Sequence, residues 1–322
     1  MSRLRLIFEP ILVIILLALA ALALHHLLKQ YSWAQILHSM HKLTKRQLAV
    51  AGLLTCLGYF TLTFYDVLGL HHLNKKVGYP RVFIAALCAF TAGHNLGFTP
   101  LTSLPIRYKF YQPVGLSAVD VTELFAFTSL TFGIGFLVVG GLTLSFQSLP
   151  VPRVIHLPLR TLHPLGWLML GLLVAYVVAC ALVRRPLTIR GRKFRLPGWR
   201  IAILQIILSS IDWSIAGCVL YVLLPSHAHL SYLRFMGVYS LAMICGSSSH
   251  VPGGLGIFET IIMVLLSSTA PGSAIIAALL AYRVVFSIFP LLVTLVLLGA
   301  FVGVRLIRQR HRARRALPAI GP

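Results

Sequence analysis

The chain has 322 residues, 58% of them hydrophobic and 11% charged, with 28 Lys and Arg against 6 Asp and Glu. Soluble domains carry roughly 25% charged residues, so this composition excludes a water-soluble globular protein. In a soluble chain a net charge of +22 would suggest nucleic acid. Here the basic residues lie in short segments between apolar runs, so we expect a membrane and anionic phospholipid headgroups as partners, and no nucleic acid.

Nine apolar runs each approach the ~20 residues that a helix needs to cross a bilayer. Runs of this length without alternation predict α-helices and not barrel strands. We therefore predict an all-α, polytopic integral membrane protein in which residues 1–322 form a single transmembrane domain. The runs cover residues 7–28, 47–70, 82–101, 121–147, 164–183, 200–224, 231–249, 272–289 and 290–307.

The basic segments between the runs predict the topology. The loop 184–200 carries seven Lys or Arg, and the tail 305–322 is also basic, so the positive-inside rule places both in the cytoplasm with the loop 71–81. The loop 225–230 carries no Lys or Arg and is predicted to be external. Both termini are then cytoplasmic. Segment 29–46 becomes external, where its apolar residues at helical spacing predict an amphipathic surface helix.

The number of crossings predicts two re-entrant segments. Three apolar runs separate the internal loops, where an even number of crossings is required, and four apolar segments separate the external loop from the internal tail, where an odd number is required. The best candidates are 82–103 and 251–269, because each contains helix-breaking residues. We therefore predict about eight transmembrane helices plus two re-entrant segments, with possible inverted halves at 1–183 and 200–308.

Two glycine-rich breaks, each with a histidine and a proline, cover 93–100 and 246–256; the first lies within a re-entrant candidate and the second overlaps the start of the other. Opened backbone must face protein or a water-filled cavity, and paired breaks in two halves of a chain indicate a transporter's midplane site. The alternative is that glycine and proline only permit close packing or a kink. The candidate hinge residues are Gly93, Gly97, Pro252, Gly253, Gly254 and Gly256, and the candidate polar site residues are His94, Asn95 and His250.

Charged residues accompany both breaks. Glu259 follows the second break, and Arg283 lies within the next apolar run. Because a carboxylate in such a segment is costly, we predict a Glu259–Arg283 ion pair that serves either a functional site or helix packing alone. Arg107 and Lys109 follow the first break, where they could bind a lipid phosphate or simply anchor the chain at the interface.

The remaining acids allow several interpretations. The spacing of Ser117 and Asp120 predicts a helix cap. Asp66 and Asp212 lie in apolar runs, where either could contribute to a proton or headgroup path, and Asp66 is close enough to a helix end to be interfacial. Glu123 is the one candidate for a membrane-embedded transferase and lacks a companion. No catalytic motif is present and the five cysteines are scattered singly, so we predict no enzyme, no cofactor and no metal site.

These motifs resemble a known family. The chain reads His-Asn-Leu-Gly over 94–97, Ile-Arg-Tyr-Lys-Phe-Tyr over 106–111, Pro-Gly-Gly-Leu-Gly-Ile-Phe-Glu over 252–259 and Tyr-Arg at 282–283. Together they are similar to the lysylphosphatidylglycerol synthase transmembrane-region family. The resemblance implies a helical fold with re-entrant elements that moves a phospholipid, often an aminoacylated phosphatidylglycerol, between leaflets. It marks Arg107, Glu259 and Arg283 as motif positions, whereas the lipid-charging soluble domain of two-domain members is not expected.

The sequence thus predicts a phospholipid flippase of the bacterial inner membrane that moves an anionic or aminoacylated phospholipid without ATP hydrolysis. Arg107 and Arg283 would hold the lipid phosphate, and Glu259 would balance Arg283 or bind a cationic headgroup. The alternative is a non-transporting accessory or scaffold protein that binds anionic lipid or a lipid-synthesising enzyme through its basic segments.

Overall fold

The computed structural model describes residues 33–96, 99–147, 161–183, 187–189, 192–194, 196–225, 230–248, 254 and 256–300. The predicted first span at 7–28 and the basic tail lie outside these residues. The helices are α1 (Trp33–His41), α2 (Lys45–His72), α3 (Tyr79–Leu96), α4 (Thr99–Tyr111), α5 (Ala118–Phe146), α6 (His163–Leu182), α7 (Trp199–Leu223), α8 (Tyr232–Ser248), α9 (Ile257–Leu266) and α10 (Gly272–Ala300). Within the predicted loop 184–200, strands β1 (Leu187–Ile189) and β2 (Arg192–Phe194) form a short antiparallel hairpin.

Five of the described helices, α2, α5, α6, α7 and α10, are long and apolar enough to cross a membrane. The prediction of a polytopic helical membrane protein is confirmed, whereas the predicted number of eight spans is not. One part of that count is wrong. The runs 272–289 and 290–307 belong, as far as Ala300, to the single helix α10. Pro290 does not end this helix, because a π-helical stretch at Val284–Ile288 absorbs the disruption.

The helices α3 and α4 form a hairpin that returns to its starting level. Val82, near the start of α3, and Tyr111, at the end of α4, belong to one buried cluster with Leu70 and Val121. Leu70 is close to the end of α2 and Val121 to the start of α5. We call this level the Asp120 end, after the residue beside Val121. The α3–α4 hairpin therefore enters and leaves at one end, which is the geometry predicted for the first re-entrant segment.

The opposite end is marked by the last turn of α7, and we call it the Leu224 end. Gln47, in the first turn of α2, donates from Nε2 to the carbonyl of Val222 at 3.0 Å. Tyr221 donates to the carbonyl of Leu230, just before α8, at 2.7 Å. Since α2 runs from this end to the Asp120 end, the two ends are opposite faces of the bundle.

The helices α8 and α9 form a second hairpin, which enters from the Leu224 end. The close approach of Gly246, near the end of α8, to Gly254, just before α9, turns the chain back. Helix α10 then runs from the Leu224 end through the bundle. The predicted internal loops 71–81 and 184–200 thus follow helices that finish at the Asp120 end, whereas the predicted external loop 225–230 lies at the other.

A candidate site where two helical hairpins meet

The tip of the first hairpin reaches the middle of the bundle. The ring of His94, near the end of α3, lies 5.9 Å from Tyr59, 6.4 Å from Phe132 and 6.1 Å from Phe286. Each of these aromatic residues stands close to the midpoint of its own long helix: α2, α5 and α10 respectively. The hairpin tip therefore lies about halfway between the two ends.

A proline explains why this tip docks on α10. Pro290 has no N–H group, so it cannot donate to the carbonyl of Phe286 four residues earlier. The hydroxyl of Tyr59 donates to that carbonyl instead, at 3.2 Å. Asn95 donates from Nδ2 to the next carbonyl, that of Ser287, at 3.3 Å and also to Thr91 at 2.9 Å. Side chains from α2 and α3 thus use backbone oxygens that the π-helical stretch makes accessible.

The second break has the backbone that its glycines allow. Gly254 and Gly256 have φ angles of +61° and +82°, in the left-handed region that favours glycine. A Cβ atom on Gly254 would lie 3.0 Å from the Cα of Gly246. Immediately after the break, Glu259 accepts a hydrogen bond from the backbone N–H of Gly256 at 2.7 Å. Its carboxylate therefore caps the positive end of α9.

The same carboxylate binds Arg283, so the predicted ion pair is confirmed. Arg283 donates from Nε to Glu259 Oε1 at 2.8 Å, and its Nη2 lies 2.6 Å from the same oxygen. The Glu259 side chain is 9% exposed and that of Arg283 is 22% exposed. Arg283 also lies over the ring of Phe258, 5.6 Å from its centroid. The pair joins the start of α9 to the middle of α10 and leaves the arginine partly accessible.

Stacked rings connect the two hairpins along α10. Phe258 of the second hairpin stacks on Tyr282, which in turn stacks on Phe286 at 5.1 Å. Phe286 then stacks on His94 of the first hairpin. Tyr239 of α8 joins this row through a 3.0 Å hydroxyl contact with Tyr282. The two hairpins therefore meet within about one turn of α10, between Arg283 and Ser287.

Arg107 lies in a separate, fully buried network. It donates to Asp66 from Nε and Nη2, with distances of 2.8–3.1 Å, and both side chains are at most 1% exposed. Tyr111 donates to the same carboxylate at 2.7 Å, and Phe90 stacks beneath the guanidinium at 4.7 Å. Asp66 lies close to the end of α2, where Arg107 and Tyr111 of α4 cover its carboxylate. Arg107 thus fastens α4 to α2.

Other predicted residues have clear positions. The Ser117–Asp120 cap is confirmed by a reciprocal capping box, and Asp120 also pairs with Lys75 at 3.0 Å. Gly93 lies inside the continuous helix α3, so that hairpin turns after Leu96 and not at Gly93. Among the described residues, no group of three or more His, Cys, Asp or Glu could hold a metal ion. The predicted site residues Gly97, His250, Pro252 and Gly253 lie outside the described part of the chain.

The sequence predictions missed the tyrosines at the centre of the bundle. Tyr59, Tyr65, Tyr239 and Tyr282 all have their rings buried. Apart from Tyr282, which stands in the Tyr-Arg motif at 282–283, nothing in their local sequence distinguishes them from tyrosines at the headgroup level. Pro290 could have indicated a contact at this level. A proline within an apolar helix leaves the carbonyl four residues earlier without its usual donor, so a side chain of another helix is needed there.

The comparisons with known proteins agree with this architecture. The model of the family described as the lysylphosphatidylglycerol synthase TM region matches residues 11–294. An uncharacterized protein of Synechocystis, slr0712, is 35% identical over 292 residues, which cover 91% of this chain and 88% of that protein. The inner membrane protein YbhN of Escherichia coli is 28% identical over 271 residues, covering 83% of this chain and 84% of YbhN.

Longer enzymes share the same region. The phosphatidylglycerol lysyltransferase of Staphylococcus xylosus is 25% identical over 306 residues, which cover 92% of this chain but 34% of the enzyme. The enzyme of the same name from Bacillus subtilis is 24% identical over 301 residues, again 34% of its length. The similarity therefore concerns about a third of these lysyltransferases.

Proposed function

Since the chain belongs to the lysylphosphatidylglycerol synthase TM region family, we propose that it moves an anionic or aminoacylated phospholipid between the leaflets of the bacterial inner membrane. The observation that carries this proposal is the meeting of two hairpins, entering from opposite ends, at the middle of α10. Inverted broken elements of this kind surround the substrate sites of many transporters. A site bordered by elements that enter from both ends suits a headgroup that must pass from one leaflet to the other.

Arg283 is the proposed phosphate-binding residue. Its contacts with Glu259 use Nε and Nη2, so Nη1 remains to donate to a phosphodiester oxygen. Arginine matches phosphate oxygens through paired N–H groups. Glu259 would balance this charge between transport events, or bind the ammonium group of an aminoacylated headgroup. His94 and Asn95 would border the path on the side of the first hairpin.

Arg107 could bind lipid only after an existing ion pair opens. Its guanidinium is committed to Asp66, so it could reach a lipid phosphate only after that pair opens. In the closed arrangement it holds α4 against α2 and so fixes the hairpin on which His94 and Asn95 are mounted. The Asp120 end, which carries the basic segments around Lys75, would face the cytoplasm.

Transport by purified protein in liposomes tests this function. Fluorescently labelled phosphatidylglycerol in the inner leaflet is protected from an external quencher, so its exposure gives the rate of movement. Loss of a charge-assisted contact in Arg283→Gln should lower the initial rate about ten-fold or more. Glu259→Gln should also lower it. Lys75→Gln, which removes the partner of a surface ion pair with Asp120, is the matched control and should retain wild-type movement.

Different results would contradict the proposed function and the proposed site. A wild-type protein that moves no labelled lipid of any headgroup contradicts the proposed function itself. Wild-type rates in both Arg283→Gln and Glu259→Gln would contradict the site while leaving the function in place. Circular dichroism and the elution volume in detergent establish that each variant is folded.

A further inference from the structure

Asp212 is a buried carboxylate near the middle of α7. It is 6% exposed, and its Oδ2 accepts a hydrogen bond from the hydroxyl of Tyr65 at 3.0 Å. Trp213, the next residue, donates to the backbone of Phe132 at the midpoint of α5. Asp212 therefore lies at the same level as the meeting point of the two hairpins.

The groups that face Asp212 are hydroxyls. Its carboxylate interacts electrostatically with Tyr59 and Tyr65 of α2, Tyr239 of α8 and Tyr282 of α10. From α5, Phe132 packs against the neighbouring Trp213 and does not titrate. The titratable group of α6 nearest this level is Tyr176, which bonds Gln205 about two turns of α7 away. His94 of α3 is separated from Asp212 by Tyr59, which it contacts.

The arginines inside the described part of the bundle are paired with other carboxylates. Arg283 lies beyond Tyr282 and is bound by Glu259, and Arg107 is bound by Asp66. Asp212 is thus a buried acid with a neutral hydrogen-bond donor and, among the described residues, no ion-pair partner. An ionised carboxylate in apolar surroundings is so unfavourable that it takes up a proton instead. Acids of this kind inside membrane helices commonly bind the protons of transporters.

We propose that Asp212 is a proton-binding site that couples lipid movement to the proton gradient. The inference rests on the proposed transport function. A proton adds to Oδ1, while Oδ2 keeps its hydrogen bond from Tyr65, and no other bond forms or breaks. The neutral acid stabilises the arrangement seen here, in which Asp212 is buried. Loss of the proton favours an arrangement in which water reaches Asp212, and the facing Tyr239 and Tyr282 carry that change to the row of rings beside Arg283.

The protonation state can be measured without transport. Infrared difference spectra of the protein in liposomes, recorded across a pH titration, should show the C=O stretch of a buried carboxylic acid that disappears as the pH rises. This band should be absent in Asp212→Asn and retained in Asp120→Asn, which removes the partly exposed carboxylate of the capping box. A band that persists in Asp212→Asn, or that is absent from the wild type at every pH, overturns the proposal.

The coupling is measured with a pH gradient imposed across the liposomes. In the wild type and in Asp120→Asn, reversing the gradient should change the initial rate of labelled lipid movement several-fold. In Asp212→Asn the rate should be the same for both gradients. Wild-type lipid movement that ignores the gradient, or Asp212→Asn that responds like the wild type, overturns the coupling while the transport function stands.

An ammonium headgroup is the other possible occupant of a carboxylate among aromatic rings. It predicts that Asp212→Asn changes the preference between labelled phosphatidylethanolamine and phosphatidylglycerol while keeping the response to pH. That outcome also contradicts the proton proposal. Asp212→Glu, which keeps the acid, should retain both the gradient response and an infrared band at a shifted frequency, and this separates lost chemistry from lost folding.

Discussion

Tyr59 and Phe286 are joined by a hydrogen bond that replaces one missing from the helix. The Tyr59 hydroxyl donates to the Phe286 carbonyl at 3.2 Å, and Pro290 is the residue that would otherwise have supplied the donor. A regular helical hydrogen bond has thus been exchanged for a contact between α2 and α10. Because His94 packs against both residues, the exchange also positions the tip of the first hairpin.

The first prediction concerns this exchange. Tyr59→Phe should lower the free energy of unfolding by about 1–3 kcal/mol, because it leaves a buried carbonyl without a donor. In a Pro290→Ala background the same substitution should cost clearly less, since the N–H of residue 290 then satisfies Phe286. The measurement is unfolding in mixed micelles, with Tyr108→Phe, a substitution at a tyrosine 36% exposed, as control. Equal costs in the two backgrounds would show that Tyr59 and Pro290 are unrelated.

The second prediction concerns the buried pair of Asp66 and Arg107. Removing one partner leaves an uncompensated buried charge, so Asp66→Asn or Arg107→Gln should each destabilise the protein by about 3–5 kcal/mol. The double variant should lose much less than the sum, because no unpaired charge remains. For comparison, Lys75→Gln at the more exposed pair with Asp120 should cost about 0–1 kcal/mol. Additive effects of the two buried substitutions would contradict the pairing.

The third prediction concerns the glycines of the second break. Gly254→Ala should destabilise the hairpin and slow lipid movement, because the residue has φ +61° and a Cβ would lie 3.0 Å from Gly246. Gly133→Ala is the control: a helical position where a Cβ meets nothing within 4 Å and where alanine should be neutral or stabilising by roughly 0.5–1 kcal/mol. Thermal unfolding in detergent and the liposome rate are the two readouts.

The fourth prediction concerns the opposite entry of the hairpins. In a background lacking the five native cysteines, single cysteines replace Lys76, between α2 and α3, and Ser268, between α9 and α10. Both positions are exposed. In intact cells an impermeant maleimide should label Ser268→Cys and not Lys76→Cys, and it should label Lys76→Cys only after the membrane is opened. Labelling of both positions from the same side would contradict the topology.

Local sequence patterns were sufficient to predict most of the long helices and some of the contacts between them. Long apolar runs predicted α2, α5, α6 and α7, and the balance of basic loops required a re-entrant segment in the first half. In the second half the count was wrong, because two of the four segments form α10 and the predicted span 231–249 is α8, one arm of a hairpin. The Glu259–Arg283 pair could also be predicted, because each residue is a lone charge in a neighbouring apolar segment. In these cases the cost of burying a charge or an open backbone leaves few alternatives.

Contacts between distant segments could not be predicted in this way. Arg107 was expected at a lipid phosphate, yet its partner Asp66 lies 41 residues away and is found only after α4 folds back onto α2. The tyrosines around Asp212 come from three helices, and no spacing in the sequence brings them together. The two apolar runs joined in α10 were separated because Pro290 resembles a helix end, although a local widening of the helix accommodates it.

The π-helical stretch in α10 has a consequence for the placement of the two hairpins. Arg283 and Thr294 are three turns apart in a regular α-helix and would point in nearly the same direction. The wider turn at Val284–Ile288 acts like an inserted residue and changes the angular phase between them by roughly a quarter of a revolution. Arg283 can then meet Glu259 of α9 while Thr294 meets Thr91 of α3 at 3.1 Å. Helix α10 thereby packs against the two hairpins on adjacent sides. Deleting a residue from Val284–Ile288 would rotate the surface that contacts one of the hairpins away from it.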